Sequence, residues 1–412
     1  MRCIALAAAL IAVSTGSPVL AQETISLEEA LARAGVGVEG EDYASSNPRV
    51  YGPQAEAEAV RATIDQARLP PNPELSFEAE NIAGSGAFSG LRSTEYTLAI
   101  GQQLELGGKR RARIASARAA SDVTGLQSDL ALSQLALDVR ERYVEAVAAG
   151  QRLVLALEIV ERNRELSRIA NVLVEVGREP PLRAMRARAA LAEAEAELQA
   201  AQAADLAARQ ALAALWVSGQ PNPVVSNVFP DFSPPLAPPG SIDPLQLRIA
   251  GARTTFAEAE IARERSLGVP DPTLSAGVRR FEESNDQAFI IGIAVPLPLR
   301  NRNQGNIAAA EAQYRAASAS EAIAETDYRL EFERTRTLYL AAETRVETLS
   351  SASLPQAEEA LRLVEIGYRN GRFPLIEVLA AAEARDAIRE NLIQAEETRG
   401  LLAARLIWLT TQ

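Results

Sequence analysis

PPNPELSFEAEN (70–81) and VPDPTLSAGVRR (269–280) place a Pro-Asn-Pro or Pro-Asp-Pro step, then Leu-Ser, then an alternating run, twice in one chain. The segments that follow also match: TEYTLAIGQQLELGGKRRARIASARAAS (94–121) and QAFIIGIAVPLPLRNRNQGNIAAAEAQYRAAS (287–318). A strand-strand-helix unit therefore recurs at a period near 200 residues. Proline fixes φ and has no N–H, so each Pro-x-Pro suits a point where a helix stops and a strand begins.

The alternation after each step defines two faces. Leu75, Phe77 and Ala79 share one face, and Glu74, Ser76, Glu78 and Glu80 share the other. On the return run, Tyr96, Leu98 and Ile100 oppose Glu95, Thr97 and Ala99. In the second copy Leu274, Ala276 and Val278 oppose Thr273, Ser275 and Arg279, and Phe289, Ile291 and Ile293 form the apolar set of the fourth run. Period two with one apolar and one polar face describes a sheet between an apolar medium and water. The strands are expected at about 73–82, 93–106, 272–281 and 287–297, the length of a tilted membrane-spanning strand. The expected lipid-facing residues are Phe77, Tyr96, Leu98, Ile100, Phe289, Ile291 and Ile293, and the expected lumen-facing ones are Glu74, Glu78, Glu80 and Glu95. Four strands cannot close a barrel, and open edges are not tolerated in lipid, so closure calls for several chains.

Around the strands the sequence reads as helix. Segments near 48–68 and 243–266 run into the Pro-x-Pro steps. Segments from about Arg110 to Val176 and Asn306 to Ile366 are far longer than the dozen or so residues of an average helix. Their apolar residues recur at three- and four-residue steps among many alanines. GREPP (177–181) and NGRFP (370–374) interrupt them, and last helices are expected over about Leu182–Val217 and Ile376–Leu409. The organisation is thus a signal peptide (1–22), a first repeat (23–218), a Pro-rich linker (219–240) and a second repeat (241–412). In the signal segment a basic Arg2, an apolar stretch and a small-residue cleavage site follow in order.

Composition narrows the function. The net charge is −12 and there is no histidine, which argues against a nucleic-acid partner and removes the commonest metal ligand and general base. The single cysteine, Cys3, lies inside the signal segment. The mature chain therefore offers no disulfide and no thiolate for a metal, so no cofactor or resident metal is expected. No G-x-S-x-G and no phosphate loop is present, and the chain is not read as an enzyme. On the helices alone, a periplasmic or surface coiled-coil scaffold or adhesin without transport would serve as well. The strands favour a conduit.

PNPELS (71–76), TEYTLAIGQQLELGGKRRAR (94–113) and VEVGREPPLRAMRARAALAEAEAEL (174–198) resemble TolC-family outer-membrane efflux proteins, nearest to the heavy-metal (CzcC/CusC-like) branch. The resemblance covers nearly all of the mature chain. It implies a mainly α fold with membrane β-structure, in which a homotrimer joins a 12-stranded β-barrel in outer-membrane lipid to a helical periplasmic tunnel. It also implies a membrane-fusion adaptor, an inner-membrane RND pump, and export of heavy-metal cations from a Gram-negative cell. The family's periplasmic mouth corresponds to the turns Gly177–Ala184 and Gly371–Val378, so Gly177, Arg183, Gly371 and Glu377 are the expected gate and adaptor-docking residues. The lipid-anchoring cysteine of some relatives has no counterpart after the cleavage site.

Overall fold

The computed structural model describes residues 24–36, 46–216, 223–237 and 243–411. The expected signal segment, Cys3 included, lies outside the described residues, as do 219–222 and 238–240 of the Pro-rich linker.

The elements run β1 (Thr24–Ile25), α1 (Leu27–Arg33), α2 (Pro48–Arg68), β2 (Glu74–Glu80), β3 (Glu95–Gln103), α3 (Lys109–Glu175) and α4 (Pro181–Ala213). The second half continues with β4 (Val224–Val225), α5 (Leu245–Leu267), β5 (Thr273–Phe281), β6 (Gln287–Ala294), α6 (Gln304–Thr348), α7 (Leu354–Arg369) and α8 (Leu375–Leu409). From α2 to α4 and from α5 to α8 the same order recurs. Helix α3 has 67 residues, which at about 1.5 Å per residue makes a rod of about 100 Å.

Helix α2 begins where its sequence provides a start. The Asn47 side chain accepts from the Arg49 N–H and Pro48 occupies the first turn, where its missing N–H costs nothing. The buried Asn47 amide also donates to the carbonyls of Ala34 (2.7 Å) and Leu215 (3.0 Å), tying three segments together. Both long helices leave the sheet through a left-handed residue, Gly108 (φ 75°) and Asn303 (φ 62°).

The sequence reads 306–366 as one unbroken helix, whereas five residues, Leu349–Ser353, form a π-helical turn between α6 and α7. Pro355 explains it, because its ring and missing N–H forbid the ordinary ladder one turn back.

The sheet order is β2-β3-β5-β6, antiparallel throughout. The strands end earlier than the alternation suggested: β3 stops at Gln103 and β6 at Ala294. Residues directly opposite share a face. One row runs Phe77–Leu98–Val278–Phe289 and the next Leu75–Ile100–Ala276–Ile291. The other face carries Glu78–Thr97–Arg279–Ala288 and Glu80–Glu95–Phe281. Gly277 pairs with Ala99 on this second face, and the position is glycine because a Cβ there would stand 2.5 Å from the Leu98 carbonyl and 2.6 Å from the Ala99 side chain.

The largest core lies away from the sheet, at the middle of α3. Val139, Val144 and Val147 pack there with Ile25, Val50, Leu212, Trp216 and Phe229. Strands β1 and β4 pair in parallel, and the Tyr143 hydroxyl donates to the Ile25 carbonyl at 3.0 Å. A second cluster joins α6 to α8 through Phe332, Tyr339 and Leu406. No described helix is long and apolar enough to cross a membrane.

Candidate functional site

Three places carry the features a conduit needs: the two sheet faces, the tips of the helical hairpins, and the seam between the repeats.

On the apolar face Phe289, Ile291 and Ile293 are 91%, 87% and 68% exposed. Phe77, Leu98 and Ile100 are exposed too, and the Phe77 ring stacks on Tyr96 with centroids 6.2 Å apart. A soluble sheet would cover such a face, since burying each large apolar side chain is worth about 1.5–3 kcal/mol. Here no described residue lies over it.

The four carboxylates of the opposite face do not share one environment. Arg279 reaches Glu80 and Glu95, both at 3.0 Å, and donates from Nε to the Thr97 hydroxyl at 2.9 Å. Thr97 is thereby buried at 8% exposure. Glu74 and Glu78 lie on the same face and remain exposed. The sequence places Arg279 on this face, but only the β3–β5 register sets it opposite Thr97.

At the base of the sheet the Pro-x-Pro aspartate joins the two repeats. Asp271 is 2.6 Å from the Lys109 ammonium and accepts from the Leu106 N–H (2.9 Å) and the Gln103 amide (3.0 Å). Burial pushes its carboxyl up, but Lys109, Leu106 and Gln103 outweigh that and hold it below the usual aspartate range.

The two hairpin tips share one backbone solution. Gly177 and Gly371 have φ of 71° and 70°. The Gly177 N–H donates to Val174 and the Arg178 N–H to Leu173; the Gly371 N–H donates to Tyr368 and the Arg372 N–H to Gly367. This is the Schellman ending of a helix, which needs a left-handed residue at that position. Pro180 and Pro374 then start the returning helices in extended conformation. Gly367 lets the Phe373 ring fold back, since a Cβ there would lie 2.1 Å from it.

Arg183 sits in the first turn of α4 and pairs with Glu179 of the same tip at 3.0 Å. It borders a groove of about 660 Å³ floored by α3 and walled by α4 and α8, among Ala187, Ala190, Leu375 and Leu379. Glu377 is exposed on α8 and does not line that groove. The structure therefore does not bring Arg183 and Glu377 together within one chain.

The seam is the feature that sequence reasoning missed. Arg152 of α3 bridges Glu390 (2.9 Å) and Glu397 (2.6 Å) of α8. Arg162 pairs with Asp386, and Glu158 with Arg389. Arg152, Glu158 and Arg162 alternate in sign along α3, the last two one turn apart, a charge pattern that does not name its partner. Among the described residues no group of three acidic, histidine or cysteine side chains forms a metal site.

Comparison with known proteins assigns this architecture. Residues 41–217 and 244–410 match the family described as Outer membrane efflux protein. The cobalt-zinc-cadmium resistance protein CzcC of Cupriavidus metallidurans is 30% identical over 82% of this chain and 80% of that one. The nickel-cobalt-cadmium resistance protein NccC of Alcaligenes xylosoxydans xylosoxydans is 29% identical over 76% of this chain and 69% of its own. The crystal structure of the outer membrane protein VceC from Vibrio cholerae aligns with a TM-score of 0.74 at 21% identity, over 93% of this chain and 95% of that one. Both halves of the duplicated chain are accounted for by one family, and the chain belongs to the outer membrane efflux proteins.

Proposed function

We propose that this chain is the outer-membrane channel of a tripartite, RND-type efflux system that exports heavy-metal cations. The observation that carries this reading is the four-stranded sheet with two open edges, apolar and exposed on one face, running directly into four long helical segments. Three copies close the edges into a barrel, with the Leu98 face toward lipid and the Glu78 face toward a wet lumen. The hairpin tips then lie at the far, periplasmic end, where Gly177, Arg183, Gly371 and Glu377 form the gate and meet a membrane-fusion adaptor. The energy comes from an inner-membrane pump, and the reading requires no chemistry from the chain itself. A scaffold without transport has no use for an exposed apolar sheet face.

The substrate class rests on the relatives, whose names specify cobalt, zinc, cadmium and nickel resistance. A wide lumen needs no ligand set, and selection belongs to the partners. Removing the gene from its host tests the reading. Loss should raise cell-associated cobalt, zinc or cadmium and lower tolerance to them, with restoration by the intact chain. Unchanged metal tolerance with increased sensitivity to organic compounds would replace the substrate class and leave the channel standing.

A further inference from the structure

The belt where strands hand over to helices concentrates positive charge in a chain whose net charge is −12. Its segments touch one another. Arg110 Nε donates to the Arg68 carbonyl at 2.6 Å, and Arg113 donates to the carbonyls of Ala67 (3.0 Å) and Leu69 (2.9 Å). A Cβ on Gly107 would meet the Val269 side chain at 2.7 Å, and one on Gly268 would meet the Arg302 carbonyl at 2.9 Å. Residues 67–69, 104–113, 265–269 and 299–303 therefore form one continuous ring segment at the base of the sheet.

The carboxylates of this belt are largely matched already. Glu105 pairs with Arg113, Asp271 with Lys109, Glu311 with Arg265 and Glu264 with Arg263. Arg110, Arg111, Arg300 and Arg302 are all exposed and have no carboxylate partner among the described residues. Arg110 and Arg302 donate to backbone carbonyls, which leaves their charge uncompensated. Beside them the apolar sheet face continues as a collar of exposed leucines, Leu106, Leu297 and Leu299 at 46%, 73% and 79%.

We infer that this belt binds the anionic headgroups of phospholipids in the periplasmic leaflet of the outer membrane; the inference rests on the membrane reading of the sheet given above. The leucine collar meets the ends of acyl chains, and the guanidinium groups meet phosphates at the depth where the apolar face stops. Each such charge near an anionic surface biases binding about fivefold. Arg110 and Arg111 open α3, whose strand β3 lies inside the sheet and away from its open edges. They are therefore clear of the junctions that further copies form when they close the barrel. An acidic protein partner would meet the charges but would leave the leucine collar unexplained.

The test is native mass spectrometry of the intact chain in detergent, offered phosphatidylglycerol and phosphatidylcholine in equal amounts. The wild type should retain phosphatidylglycerol preferentially, and inorganic phosphate at the same phosphate concentration should not displace it. The variant Arg110→Gln/Arg111→Gln/Arg300→Gln should lose at least fivefold of that preference, while Arg110→Lys/Arg111→Lys/Arg300→Lys keeps most of it. Equal lipid ratios for the wild type and the glutamine variant would overturn the inference, as would displacement by free phosphate. The same spectra report the oligomer mass, so failure of the channel reading would show as a missing trimer and not as a lost lipid preference.

Discussion

Closure of the barrel is testable through the one strand pair that a single chain cannot make. Within the chain, Glu74 stands opposite Gly101, and its counterpart Thr273 stands opposite Ala294. Across the junction between repeats Thr273 faces Gln103, two residues beyond Gly101. If the junction between chains repeats that step, Glu74 of one chain faces Pro296 of the next, and the antiparallel register sets Ser76 opposite Ala294 and Phe77 opposite Ile293. The faces agree: Ser76 and Ala294 both lie on the glutamate face, and Phe77 and Ile293 on the apolar one. Directly opposite Cα atoms are about 4.5–5.5 Å apart, inside the disulfide range of about 4.4–6.8 Å. A two-residue slip adds about 6.6 Å along the strand and carries the pair outside it. Ser76→Cys with Ala294→Cys, in a Cys3→Ser background that removes the only other thiol, should give interchain dimers and trimers on non-reducing gels after mild oxidation. Ser76→Cys with Gly292→Cys should give little. Ser76→Cys with Ala99→Cys, opposite each other within the chain, should link without changing the mass class. Stronger linking through Gly292 than through Ala294 would refute the register. No interchain product, with the Ala99 control linked, would refute closure by this pair.

Three further outcomes follow from the same geometry. Leu98→Arg, in an exposed row of the apolar face, should cost about 2–4 kcal/mol in a folding titration into lipid, and Ser76→Arg on the glutamate face should stay near wild type; equal costs would reverse the facing. Asp271 has a depressed folded pKa, so its contribution is fully present above the unfolded value of about 3.9 and is lost as pH falls through the lower folded value. Wild-type heat stability should therefore fall on the acid side of pH 4, and Asp271→Asn should flatten that fall while starting lower at neutral pH. Glu377→Lys should raise ion conductance in planar bilayers with assembly intact, since a gate held by surface charges responds to sign; unchanged conductance would place the gate elsewhere.

What could be read from the sequence was what depends on neighbours along the chain. Alternation separated Phe77 from Glu78 and Leu98 from Thr97 because successive strand side chains point to opposite faces. The doubled Pro-x-Pro step located both helix-to-strand transitions for the same local reason. The left-handed turns were half visible: Gly177 and Gly371 announced a reversal, but the paired donors to Leu173 and Gly367 appear only in three dimensions. Properties that join distant segments were out of reach. Thr97 looks like an ordinary water-facing position, yet the β3–β5 register places it under Arg279, so an arginine there would meet a like charge. The Arg152, Glu158 and Arg162 ladder needed α8 as its partner, more than 200 residues onward. Even the π-turn had a local signal in Pro355, but a periodic alanine-rich run on both sides masks a single proline. The contrast matters for the conduit. The apolar and glutamate faces of the sheet follow from alternation and tolerate any register that preserves parity. The seam between repeats and the joint at Asp271 depend on register, and these are the places where a shift of one coiled coil against its neighbour must break specific ion pairs.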